Sequence, residues 1–281
     1  MSDTVTSSDG TVISYRQFGR GPGVVLVHGG MSSAHNHKEL AEALSDAFSV
    51  YVPDRRGRAA SGPFGAQYSM RKEVEDLEAL LSKTGACNVF GVSSGGLIGL
   101  EAALSSTTIR RLAVFEPALF LDRSIPAAVL ARLDREMEAG NVAAAMITAM
   151  KGAQMGPAIL RALPRRLLEY ITNTAMKAED RRPATGYLAL RELSLTLHYD
   201  CQLAVEMSAK QEPFRSIPAD VLLLGGSKSP AYLKAALDAL AQLIPQVRRT
   251  ELRSLNHAAC WNADRGGKPK RVAQELRRFF S

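Results

Sequence analysis

Short apolar runs alternate with helix-period stretches along the first 115 or so residues. In "VTSSDGTVISYRQFG" two stretches of strand character flank Asp9-Gly10, a dipeptide that favours a tight hairpin. "GVVLVHGG" is a continuous apolar run that ends in glycines, the pattern of a strand buried on both faces of a parallel sheet. "FSVYVPD", "CNVFGV" and "IRRLAVFEPAL" read as further strands. Between them, residues Lys38 to Ala47 read as a helix, Met70, Val74, Leu77 and Leu81 recur at helical spacing, and "GGLIGLEAALSS" reads as a third helix.

The alternation then stops. Residues 122–215 carry only helix-forming segments: "PAAVLARLDREMEAG", "NVAAAMITAMKGA", "PRRLLEYITNTAMKAED" and "TGYLALRELSLTLHY". It resumes with the strand "ADVLLLGG", the helix "AYLKAALDALAQLI", the short strand "VRRTEL" and a last helix around Val272, Leu276, Phe279 and Phe280. The pattern predicts an α/β fold with a mostly parallel central sheet flanked by helices, built from residues 1–121 and 216–281. An all-helical insertion, residues 122–215, interrupts it.

Composition narrows the function classes. With 46% apolar and 22% charged residues in 281, the chain can bury a sizeable core, which sets disorder aside. The formal charge of +7 is spread over small clusters such as Arg55 to Arg58 and Lys268 to Arg271, so it makes no stripe suited to nucleic acid. A mild attraction for anionic small molecules is the most it supports. The N-terminal stretch lacks a basic start and a long apolar run, and no later segment has the ~18 apolar residues of a membrane span, so a cytoplasmic protein that binds no membrane is expected. Cys87, Cys201 and Cys260 lie far apart and read as reduced, mostly buried thiols, with no metal-ligand spacing.

Candidate chemistry starts at "GVSSGG". Gly91-Val92-Ser93-Ser94-Gly95 fits Gly-x-Ser-x-Gly, with a strand before it and a helix after. So tight a strand-to-helix turn strains its central residue and needs small neighbours. It would expose Ser93 at the C-terminal edge of the sheet, on a helix N-terminus that favours developing negative charge. "HGG" (His28 to Gly30) follows an early strand, "DRRGRAAS" (Asp54 to Ser61) the next, and "LNHAA" lies near the C-terminus.

In these motifs and their order the chain resembles the serine α/β-hydrolase superfamily over nearly its whole length. The resemblance implies the α/β-hydrolase fold, a helical cap in the place of the insertion, Ser93 as nucleophile and His257 as base. It also implies an oxyanion hole made by the backbone N–H of Ser94 and one from Gly30 or Met31. Asp54, Arg55 and Gly57 match a frequent motif read as structural, although Arg55 or Arg56 could reach the pocket, and Trp261 and Asn262 would pack the loop after His257.

The other histidines have weaker claims. His28 reads as a structural or hole-shaping residue, or one that touches substrate. His35 and His37 could line the pocket mouth or begin a solvated helix, and His198 in the insertion could face substrate. The triad acid has two candidate places. Many members of the superfamily carry an aspartate after the strand equivalent to "ADVLLLGG", where this chain reads "GGSKSP" with Ser229 in that slot. Others, haloalkane-dehalogenase-like proteins among them, carry the acid at the end of the preceding core strand, where Glu116 stands before Pro117. Ser93, Glu116 and His257 then keep the chain order of nucleophile, acid and base.

The expected activity is a cofactor-free serine esterase, cleaving a carboxylic ester, lactone or thioester of a small apolar molecule through an acyl-enzyme on Ser93. Serine at the nucleophile position argues against the dehalogenase and epoxide hydrolase chemistry of relatives that use aspartate. Met146, Met150, Met155, Leu160, Leu163 and Tyr170 could form an apolar roof, or simply the core of the insertion. A lyase, acyltransferase or cyclase use of the same site stays open, as does a ligand-binding protein without turnover. A homodimer is equally open.

Overall fold

The apolar runs become the middle of an eight-stranded sheet of order β1-β2-β4-β3-β5-β6-β7-β8 in the computed structural model, which describes residues 2–156, 163–181 and 185–281. The strands are β1 Ser2–Thr6, β2 Val12–Phe18, β3 Gly23–Val27, β4 Ser49–Pro53, β5 Asn88–Val92, β6 Arg111–Phe115, β7 Asp220–Gly226 and β8 Val247–Leu252. β1 and β2 form the expected hairpin, and β2 lies antiparallel to β4. All other pairings are parallel. β5 is buried along its whole length, as a strand covered by helices on both faces must be.

Two layers of helix supply that cover. On one face α2 (Met70–Thr84), α3 (Ser94–Ser105) and α9 (Ala231–Leu243) bury Leu77, Leu81, Leu97, Ile98, Leu237 and Leu240. On the other, α1 (Lys38–Leu44) and α10 (Pro269–Phe280) bury Leu40, Leu44, Val272, Leu276 and Phe279. The chain leaves β3 for β4 on one side and returns to β5 on the other. Strand order therefore reverses at β3, so the loops leaving β3 and β5 diverge at the C-terminal edge of the sheet, the place where open α/β sheets usually carry their sites. "HGG" and "GVSSGG" are those two loops.

Between β6 and β7 run α4 (Ser124–Glu138), α5 (Val142–Gly152), α6 (Arg165–Arg181), α7 (Leu190–Ser194) and α8 (Leu197–Met207). Their own small core of Leu133, Ala145 and Leu197 also takes in Met31, Met146 and Cys201, so the loop after β3 is packed into the inserted helices. One expected helix is corrected: "TGYLALRELSLTLHY" is two helices, α7 and the start of α8, broken at Leu195-Thr196. Ser194 and Thr196 turn their hydroxyls back onto the carbonyls of Arg191 and Leu193, a local competition that disfavours a continuous helix. Of the proposed roof, Tyr170 is 70% exposed and roofs nothing, and Leu160 lies outside the described residues. Among the described residues no helix is long and apolar enough to cross a membrane.

Candidate active site

Ser93 sits between β5 and α3 with φ 55° and ψ −119°, a conformation that costs a non-glycine residue about 1–3 kcal/mol. Four backbone hydrogen bonds hold it there. Its N–H donates to the Phe115 carbonyl at 3.0 Å, and its carbonyl accepts from Gly96, Leu97 and Ala118 at 2.9, 3.2 and 3.3 Å. The flanking glycines are obligatory by contact: a Cβ on Gly91 would lie 2.4 Å from the Gly95 carbonyl oxygen, and one on Gly95 would lie 2.3 Å from that of Val27. Gly29 gives way in the same manner, since a Cβ there would lie 2.9 Å from Cβ of Ser93.

Glu116 follows β6 at φ 46°, a second strained non-glycine position. Its N–H donates to the Leu224 carbonyl at 3.0 Å, which extends the β6–β7 ladder and turns the side chain inward. The carboxylate is fully buried. Its Oε1 accepts from the Gly226 N–H at 2.6 Å, and Oε2 lies 2.7 Å from Nδ1 of His257, which donates to it. That bond fixes the tautomer and leaves Nε2 of His257 as the basic nitrogen. Ser229, in the alternative slot for the acid, is buried with its hydroxyl unpartnered.

The N–H groups of Gly30, Met31 and Ser94 make no hydrogen bond among the described residues. Met31 has φ 50°, so Met31, Ser93 and Glu116 all hold positive-φ backbone. The loop that carries Gly30 and Met31 is tied to the loop after β4 at two points. Asp54 Oδ1 accepts from the Ala34 N–H at 2.8 Å, and His28 Nε2 accepts from the Arg55 N–H at 3.1 Å.

That second bond corrects the substrate-binding reading of His28. Its Nδ1 donates to the Gly29 carbonyl at 2.8 Å, both ring nitrogens are spoken for, and burial holds its pKa well below the ordinary value. His37 is likewise no solvated helix start. It is fully buried, donates through Nδ1 to the Cys260 carbonyl at 3.0 Å, and is pushed down to about 4 by burial. His35 stands at the rim, 3.2 Å from the Arg16 guanidinium and edge-on to Tyr187. His198 pairs with Asp134 of α4 at 2.7 Å inside the inserted helices. No contact joins either of these two to Ser93, Glu116 or His257 among the described residues. Asn262 packs the loop after His257 by accepting from the Glu39 N–H and donating to the His35 carbonyl.

Two charged groups touch the Ser94 hydroxyl, buried Arg55 and half-buried Asp200, with buried Arg58 and Glu73 behind them, and only Arg55 among the four is visible as a candidate in the sequence. Arg55 donates to both oxygens of Glu73, at 2.7 and 3.0 Å, and through Nη1 to Ser94 Oγ at 3.0 Å and Asp200 Oδ1 at 2.9 Å. Arg58 donates to Asp200 Oδ2 at 2.6 Å. Burial would raise the Asp200 carboxyl, but Arg58 and Arg55 outweigh it and hold the group below the ordinary carboxylate range. Asp200 leaves no mark in "LHYDCQ" because its partners lie more than a hundred residues away in the chain. Among the described residues no group of three or more His, Cys, Asp or Glu side chains could hold a metal ion.

A serine in strained backbone, a histidine fixed by a buried carboxylate, and N–H groups without hydrogen bonds on two sides are parts suited to acyl transfer. The comparisons agree with the fold. An alpha/beta hydrolase from Sphaerobacter thermophilus superposes with a TM-score of 0.80 at 32% identity, covering 99% of this chain and 100% of that one. A cis-3-alkyl-4-alkyloxetan-2-one decarboxylase from Shewanella oneidensis is 33% identical over 121 residues, 41% of this chain and 38% of that protein. A pimeloyl-[acyl-carrier protein] methyl ester esterase from Aeromonas hydrophila is 36% identical over 95 residues, 33% of this chain and 36% of that protein. The match thus spans little more than a third of these curated relatives. A model described as the alpha/beta hydrolase family matches residues 24–275, and with strand order, connections and residue spacing in accord, the chain belongs to that family.

Proposed function

We propose that the protein is a serine hydrolase that cleaves a carboxylic ester, lactone or thioester of a small molecule through an acyl-enzyme on Ser93. The observation that carries this is the 2.7 Å contact between Glu116 and His257, next to a serine held at φ 55°. His257 Nε2 takes the proton as Ser93 Oγ attacks the carbonyl carbon, and the Ser94 and Gly30 or Met31 N–H groups receive the oxyanion. The proton passes to the leaving oxygen or sulfur as that bond breaks. Water then attacks the acyl-serine and gives a proton to His257, which passes it to Ser93 Oγ as the acyl–oxygen bond breaks and the acid leaves. Glu116 stabilises the imidazolium at both stages and keeps its own charge. The inserted helices serve as a cap, and Met31 and Met146 give it an apolar contact with the core.

The Shewanella relative named as a decarboxylase keeps one other reading in view, loss of carbon dioxide without acyl transfer to water. One experiment separates the two. A fluorophosphonate should label the protein at neutral pH, Ser93→Ala should abolish labelling, and simple p-nitrophenyl esters should yield acid and alcohol in equal amounts. A folded wild-type protein that takes no label and cleaves no ester would overturn the proposal.

A further inference from the structure

Asp200 reaches from the inserted helices to both Ser94 and Gly30. Its Oδ1 accepts from Ser94 Oγ at 3.2 Å. Its side chain also lies on Gly30 so closely that a Cβ at that position would be 3.0 Å from Oδ2 and 3.1 Å from Cγ. Ser94 opens α3 after β5 and Gly30 lies in the loop after β3, and no hydrogen bond joins those two residues among the described residues. Asp200 is in turn clamped by Arg55 and Arg58 from the loop after β4, with side chains 2% and 0% exposed. Glu73 and Tyr68 fix the far side of Arg55.

We propose that Asp200 is a positioning residue for the oxyanion hole: bridging Ser94 and Gly30 under the hold of Arg55 and Arg58, it sets the spacing of the backbone donors. The proposal rests on the hydrolase reading above. Donors act by standing where charge develops, so small displacements are costly to rate. Position has to outweigh charge here, because a carboxylate near an oxyanion repels it. The two arginines make that possible: Arg55, Arg58, Glu73 and Asp200 sum to zero, so the clamp is rigid without imposing a net negative field.

Asp200→Asn keeps the shape and removes the charge that the arginines grip. Its kcat on p-nitrophenyl acetate should fall about 10- to 100-fold with KM within about 2-fold, and the fluorophosphonate labelling rate should fall by the same factor. Because this variant leaves an uncompensated buried charge, a second one, Asp200→Leu with Arg58→Met, removes the ion pair as a unit. Its thermal stability should return toward wild type while kcat stays low. The inference is overturned if Asp200→Asn turns over as fast as wild type or faster, or if the double variant regains kcat together with stability, which would make the role packing alone. A wild-type protein that is neither labelled nor active removes the hydrolase reading and this one with it. An active wild type matched by Asp200→Asn removes this one only.

Discussion

Glu116 shows how much one buried carboxylate can be asked to do. Both its partners are donors, the Gly226 N–H and the His257 Nδ1–H, so a glutamine in its place must turn its amide group toward one of them. Facing His257, the amide forces the other tautomer and spends the proton-accepting nitrogen. Facing Gly226, it sets two buried donors against each other. Glu116→Gln should therefore lower kcat by about 10³- to 10⁴-fold in ester hydrolysis, with a folded protein by circular dichroism. Unchanged turnover would remove the triad role. At this scale the sequence is readable where geometry leaves a residue-level mark: Gly91 and Gly95 around Ser93, or a carboxylate closing an apolar strand. Asp200 is opaque because nothing within its own helix indicates that the salt-bridge partners come from the loop after β4. The assignments of His28 and His37 needed burial, which two histidines near a glycine turn do not declare.

At the scale of elements, period is what the sequence states most plainly, and the parallel strands β3 to β7 fall within their apolar runs. The helix that closes the chain is the clearest example. α10 buries Val272, Leu276, Phe279 and Phe280 on one stripe, and Phe280 meets Phe48 edge-on with ring centroids 6.3 Å apart. Arg277 adds contacts to Asp46 and to the Ala43 carbonyl at the end of α1. Phe280→Ala should cost about 3 kcal/mol or more, read as a lower urea midpoint with little change in slope. A shift under about 1 kcal/mol would mean that the C-terminal turn frays in solution. Periodicity fails in the stretch 185–199, where the apolar spacing suits a helix but serine and threonine hydroxyls compete for its carbonyls.

For the molecule as a whole, the buried histidines set its tolerance of acid. His37 is pushed down to about 4, and His28 is also lowered, by burial in each case. A base whose folded pKa is depressed takes up its proton more readily when unfolded, so stability is full above the unfolded value near 6.5 and falls as pH drops below it. The depressed carboxyls of Asp200 and Glu73 act in the same direction at lower pH, while the raised ones of Asp54 and Asp76 oppose. Between pH 6.5 and about 5 each histidine removes up to about 2 kcal/mol, and the raised carboxyls offset part of that loss. The urea midpoint should be level from pH 8 to 7 and drop clearly by pH 5. A flat profile across that range would show that one of the two is charged or hydrated in the folded state.

Glu116 also ties chemistry to the order in which the polypeptide is made. Ser93 and Glu116 leave the ribosome within one short strand-helix-strand unit, well ahead of β7 and His257. Until β7 arrives, β6 is an open edge and the Glu116 carboxylate stays in water. Docking of β7 supplies the Leu224 carbonyl and the Gly226 N–H to Glu116 in a single step, so the event that completes the sheet is also the one that seals the acid from solvent. A chain ending after the inserted helices would hold Ser93 and Glu116 but neither β7 nor His257.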